Sequence, residues 1–188
     1  MKIKRAPVRL EGQMFKPAAI AAALALVLPA AAGQAQEAKP GPEHEKLGFW
    51  IGEWKIEAEA KPNPLFPEGA YHATMTAEWF EGGFQVLCRY DWTGALGPYA
   101  ELNVMGYDQV KGQYFAYGID GLGGNLEFFG PLDENVFTYL AEFEAEGTQV
   151  AFRWTVTDVS PGVITWTSEI SIDGGEWILA GEAKATRQ

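Results

Sequence analysis

Cysteine occurs once in these 188 residues and histidine twice. A single cysteine, Cys88, excludes an intrachain disulfide in any compartment. Phe84, Val86, Tyr90 and Trp92 share its face of an alternating run, which reads as a small buried hydrophobe and not a reactive thiol. His44 and His72 are too few and too far apart for a zinc site. Both read as surface residues, with His72 the first candidate for any acid–base chemistry. No Gly-x-Ser-x-Gly step occurs and serines are few, so no nucleophilic triad is expected. The glycine-rich run Gly118–Gly124 has no lysine or helix after it and reads as a turn, not a phosphate loop. No metal or cofactor is expected.

Positive charge is also scarce. Lys2, Lys4, Arg5, Arg9 and Lys16 are five of the 14 basic residues, and Glu11 is one of the 25 acids, so residues 36–188 carry a net charge of −15. Such a surface repels nucleic acid and anionic lipid, and acids spread over strand faces and turns serve solubility. Long apolar runs are missing but for one. Ala18 to Ala32 spans about 15 residues, short of the roughly 20 that cross a bilayer. The basic residues before it and the small residues up to Ala35 make residues 1–35 a secretory signal. Cleavage is expected after Ala35, with Ala32 as the other site. Met14 is an alternative start, because MFKPAAIAAALALVLPAAAGQA is a complete signal by itself; a retained N-terminal anchor is the rival reading. A periplasmic or secreted destination follows, with no stable membrane insertion once the signal is gone. Residues 36–42 read as a flexible leader and residues 43–188 as one domain.

Helical periodicity is confined to one turn, Pro42–Leu47, with a proline and an acid at its start. From Glu53 the chain alternates: Trp54, Ile56, Ala58 and Ala60 on one face, Glu53, Lys55, Glu57 and Glu59 on the other. That is the period of a strand with one face in water. Nine further runs follow: Tyr71–Phe80, Phe84–Trp92, Tyr99–Tyr107, Gln113–Ile119, Asn125–Gly130, Asn135–Glu144, Gln149–Thr157, Val163–Ile172 and Glu176–Thr186. Hairpin-sized gaps separate them, which predicts an all-β, antiparallel up-and-down barrel of about ten strands. Val150/Phe152/Trp154/Val156, Ile164/Trp166/Ile170/Ile172 and Trp177/Leu179/Ala183 are its apolar faces. Gly106, Gly118 and Gly130 interrupt the pattern, each a place where a bulge would flip the register. Pro62–Gly69 contains three prolines and cannot continue a ladder; its Leu65-Phe66 tip suits a flap over a barrel mouth.

Seven Trp, seven Tyr and eleven Phe line such a barrel either as solid core or as a pocket wall. Ten strands enclose more than side chains alone fill, which favours a cavity for a small apolar or amphipathic ligand. Trp54, Trp79, Trp92, Phe115, Tyr117, Trp154 and Trp166 are the expected lining. Glu101 and Asn103, on the face of Tyr99, Met105 and Tyr107, are the expected inward polar pair. Arg89 and Arg153 lie outside if the apolar faces are solid core; in a hollow barrel with a mixed lining, Arg89 is the anchor for a ligand carboxylate. The rivals are a small-molecule isomerase or hydrolase using His72 or an inward carboxylate, and a module that dimerises through the flap or an open strand edge. Monomer and homodimer both remain open.

The stretches PEHEKLGFWIGEWKIEAEAKP, EWFEGGFQVLCRYDW, MGYDQVKGQYFAYGID and WTVTDVSPGVITWTSEISIDGGEW resemble, in that order, a bacterial family catalogued as domain of unknown function 1579. The resemblance spans residues 42–187. It implies a calycin-like barrel, related in shape to lipocalins and fatty-acid-binding proteins, and brings no established activity. Gly52-x-Trp54 also resembles the lipocalin strand-one signature, which implies Arg187 or Lys184 packed over the tryptophan. The nitrobindin type of barrel holds haem through a histidine near its C-terminus; this chain has none there.

Overall fold

The alternation that begins beside Trp54 becomes strand β1 (Gly52–Ala60), buried at Trp54 and Ile56 and exposed at Glu53, Lys55 and Glu57. A computed structural model describes residues 39–133, 136–145 and 147–188; the secretory pattern, its two cleavage sites and Met14 lie outside the described residues. Before β1 come one helical turn, α1 (Pro42–Glu45), and a 3₁₀ turn, Lys46–Trp50. After it come β2 (Gly69–Trp79), β3 (Gln85–Thr93), β4 (Tyr99–Asp108), β5 (Gln113–Asp120) and β6 (Asn125–Gly130). The two-residue β7 (Leu132–Asp133) precedes β8 (Val136–Ala145), β9 (Thr148–Ser160), β10 (Val163–Ile172) and β11 (Ile178–Arg187). Each strand pairs antiparallel with its neighbours, β1 pairs with β11, and β6 meets β8 at Phe129 opposite Leu140. The result is a closed ten-stranded antiparallel barrel, with β7 as one extra strand on β8. Among the described residues, closure leaves no long open edge for strand addition.

The glycines do not act as expected. Pairing runs without a shift from β3 through β6, so Gly106, Gly118 and Gly130 carry no bulge. They are places of close approach: the Phe115 ring covers Gly106, the Asn103 amide lies over Gly118, and the backbone of Thr138 abuts Gly130. The register shifts fall on the two partners of β10 instead: Thr157 of β9 is the extra residue opposite the Thr165–Trp166 step, and Ala180 of β11 the extra residue opposite the Ser168–Glu169 step. The second shift turns β11 over, so Leu179 and Trp177 face water and not the core, while Ala180 is buried.

The helical turns plug one end of the barrel. Leu47 and Trp50 are fully buried, and the Trp54 indole donates to the Trp50 carbonyl at 2.7 Å. Arg187, and not Lys184, caps Trp54: its guanidinium stands 4.4 Å over the ring and donates to the Ile51 carbonyl at 2.7 Å. Gly52, at φ 131°, lets the chain pass beneath that guanidinium, where a Cβ would collide with it. The Tyr114 hydroxyl ties β5 to the plug by donating to the Glu43 carboxylate at 2.6 Å. His44 is buried, against the expectation of a surface residue. Its Nδ1 accepts from the Gly41 amide and its ring sits edge-on to Phe84, so a local cap and aromatic packing hold it inside.

Candidate ligand cavity

The opposite end is hollow. A cavity of about 680 Å³ runs inward from the loops that follow β1 and β5. Its polar side is built on adjacent strands. Trp92 and Tyr90 alternate inward on β3, Tyr99, Glu101 and Asn103 on β4, and the register sets Trp92 opposite Tyr99 and Tyr90 opposite Glu101. Tyr90, Trp92 and Tyr99 form a row of near-parallel rings, with centroids 5.9 and 6.3 Å apart and planes within 15°.

Glu101 is the chemical centre of this wall. One carboxyl oxygen accepts from the Trp92 indole at 2.8 Å and the other from the Asn103 amide at 2.9 Å. Gly118, the register partner of Asn103, leaves room for that amide. Asp120 is the register partner of Glu101, with its own Oδ1 accepting from the Leu122 and Gly124 amides. Burial raises the Glu101 pKa above 4.5; its two donors oppose the rise and the neighbouring Asp120 adds to it. Burial, then Glu101, pushes the Tyr99 phenol up to about 12, and burial holds Tyr90 well above its usual value.

The floor is aromatic. Phe128 stands 5.5 Å from Phe152 and 6.2 Å from Trp154, and Trp154 in turn lies 5.1 Å from Tyr139 and 5.8 Å from Trp50. The buried Nε1 of Trp154 has no partner among the described residues. Glu101 and Asp120 are the charged side chains at inward positions; Glu59, Glu144 and Glu182 border the cavity from exposed positions, and no Lys, Arg or His lines it among the described residues. Lys61, at the foot of the flap, is held by Glu59 and Glu182 at 3.1 and 3.2 Å.

The flap folds over this mouth. Asn63 makes the bend, with its Oδ1 accepting from the Leu65 and Phe66 amides at 2.9 Å. The Tyr71 hydroxyl donates to the Pro67 carbonyl. Leu65 and Phe66 both line the cavity, and the Phe66 ring sits edge-on to Phe152 at 6.2 Å.

Of the residues expected to line the barrel, Trp92, Glu101, Asn103, Trp154 and Trp166 stand on the cavity wall. Four do not. Arg89 is on the outside, paired with Glu78 at 2.9 Å, because the unbroken alternation of β3 gives the inner face to Cys88 and Tyr90. Phe115 and Tyr117 are also outside, because Tyr114 and Ala116 take the inner face of β5. Trp79 lies at the plugged end beside Gly48 and is partly exposed. Trp54 belongs to the plug and not to the cavity. His72 is exposed on the outer face of β2, opposite Glu57, so it does not serve acid–base chemistry in the cavity. Tyr90, Tyr99 and Asp120 are lining residues that sequence reasoning did not single out; Tyr90 and Tyr99 were visible as companions of Cys88 and Glu101, whereas Asp120 looked like a turn residue.

The perturbed carboxyl gives a pH-dependent expectation. The folded state holds the Glu101 proton more tightly than the unfolded chain, so this contribution is fully present below the unfolded value and lost as pH rises through the folded one. Asp120, Tyr90, Tyr99 and Cys88 are the titratable groups that face or neighbour it, with Tyr71 beyond Tyr99. Urea midpoints of the native protein and Glu101→Gln, at about pH 4 and about pH 7.5, measure it by difference. The balance should move in favour of the variant at the higher pH; an unchanged difference would refute the raised pKa.

Residues 39–187 match the family described as protein of unknown function (DUF1579), and no curated protein matches the chain. The match covers the plug, every strand and both residues of the Trp54–Arg187 pair, which places the chain in the family of proteins of unknown function DUF1579.

Proposed function

We propose that this barrel binds a small hydrophobic or amphipathic ligand beneath the flap. The observation that carries the reading is the cavity itself: about 680 Å³, with an aromatic floor and a few convergent polar groups on one wall. Small-molecule sites are commonly concave spaces of about 300–1,000 Å³ with that division of lining. The apolar flap tip turned onto Phe152 supports a cover for an apolar occupant better than a dimer interface. The secretory pattern at residues 1–35 supports a periplasmic or secreted site of action.

Native mass spectrometry of the purified protein, with organic extraction of anything bound, tests the reading beside a fluorescence titration against neutral, acidic and basic amphipaths. A bound compound, or saturable change in tryptophan emission at one equivalent, is the expected result. No extractable compound and no emission response to any of them would refute it.

A second reading has one specific support. A carboxyl of raised pKa inside a cavity is the usual form of a general acid or base, and Glu101 is such a group. This enzyme would act on a small apolar substrate through Glu101. Turnover lost in Glu101→Gln, with binding of the unreacted compound kept, separates it from simple binding.

A further inference from the structure

We propose that the ligand of this cavity carries a positively charged amine or quaternary ammonium head, seated by Glu101 and Asp120 beside the Trp92–Tyr99 rings. Its apolar body would lie on the Phe128–Phe152 floor. The inference rests on the ligand-binding reading above and names the class of ligand.

Charge sign is the first reason. The two charged side chains at inward positions of the lining, Glu101 and Asp120, are both carboxylates, and Glu59, Glu144 and Glu182 border the mouth from exposed positions. The arginines that could have held an acid are outside and engaged, Arg89 with Glu78 and Arg153 with Glu169 at 2.8 Å. An anionic head would therefore enter a wall of its own sign without a partner, and a buried charge without a partner is strongly disfavoured. Glu101 and Asp120 moreover stand side by side on paired strands. A neutral head leaves their mutual repulsion as it was, whereas a cation relieves it.

The wall also has the shape that a soft organic cation needs. Indole and phenol rings attract such a cation through the negative charge of their faces, and Trp92 between Tyr90 and Tyr99 supplies a row of them beside the carboxyl. Trp92 and Asn103 spend their N–H donors on Glu101 and hold its carboxyl in place. Gly118 presents no side chain toward the pair. Lys61 is occupied at the rim by Glu59 and Glu182 and does not reach the inner carboxyls.

Three ten-carbon probes test the sign directly: decyltrimethylammonium, decanol and decanoate, each titrated into the full chain at neutral pH. High salt suppresses attraction to the acidic surface and spares a buried pair. The ammonium probe should bind at least about tenfold more tightly than decanoate, a preference of about 1.4 kcal/mol. Glu101→Gln should bring the ammonium probe down to the affinity of decanol while decanol binding stays as it was. Arg89→Ala, outside the barrel, should change none of the three. Decanol or decanoate binding as tightly as the ammonium probe would overturn the inference and leave the ligand-binding reading standing. An ammonium preference that survives both Glu101→Gln and Asp120→Asn would overturn it as well. Failure of all three probes to bind would count against the ligand-binding reading itself.

Discussion

Trp54→Ala should lower the free energy of unfolding by about 3–5 kcal/mol, the usual range for removing a buried tryptophan. Trp54 is 1% exposed, donates to the Trp50 carbonyl and lies under the Arg187 guanidinium, so its removal leaves a cavity, an unpaired acceptor and a cation without its ring. Against a total stability of roughly 5–15 kcal/mol, that is a large fraction. The melting temperature should fall by roughly 10 °C, at about 2–4 °C per kcal/mol for a chain of this size. Urea denaturation and thermal melts measure both. Trp177→Ala is the control, because Trp177 lies outside under Arg153 and its loss should cost less than about 1 kcal/mol. Equal losses in the two variants would show that the plug is not the keystone of that end.

Gly130→Ala should be damaging for a different reason. One added methyl group would run into the backbone of Thr138, and backbone does not swing aside as a side-chain tip does. Overpacking typically costs about 1–3 kcal/mol, and a backbone collision belongs at or above the top of that range. The position lies at the seam where β6 meets β8, whose register is a single pair, Phe129 with Leu140. The damage should therefore appear first as faster amide exchange in β6 and β8, before global unfolding. Gly121→Ala is the contrast: its added carbon would meet the Ala100 backbone at an ordinary 3.5 Å, and stability should change by less than about 1 kcal/mol. Uniform exchange across the barrel in Gly130→Ala would overturn the assignment of the seam as its weakest line.

The architecture was written plainly in the chain because strand alternation is a local signal. Every run from β1 to β11 was visible except β7, which has only two residues and no period to show. The helical turn before β1 and the position of the flap were also legible, since turn chemistry is local too, and the resemblance of Gly52-x-Trp54 to the lipocalin signature implied a cap by Arg187 or Lys184. What could not be read was the facing wherever two strands cooperate. Trp177 and Leu179 alternate correctly with Ala183, yet Ala180 is an extra residue in β11, visible only through the pairing with Ser168 and Glu169 of β10, and it turns them outward. Phe115 and Tyr117 look like lining by composition, but Tyr114 and Ala116 hold the inside of β5. Glu101 and Asn103 were recognisable as an inward pair from one strand alone, whereas Asp120 joins them only through cross-strand register.

Cys88 has a consequence of its own. It is fully enclosed beneath the row of rings, its sulfur 3.9 Å from that of Met105, and burial pushes its pKa up to about 12. A thiol so placed resists ionisation and is shielded from oxidants while the wall stands. Any alkylating reagent that reaches this sulfur has been admitted by a breach in the wall. The sole thiol is thus a built-in timer, and its labelling rate records how often the barrel opens.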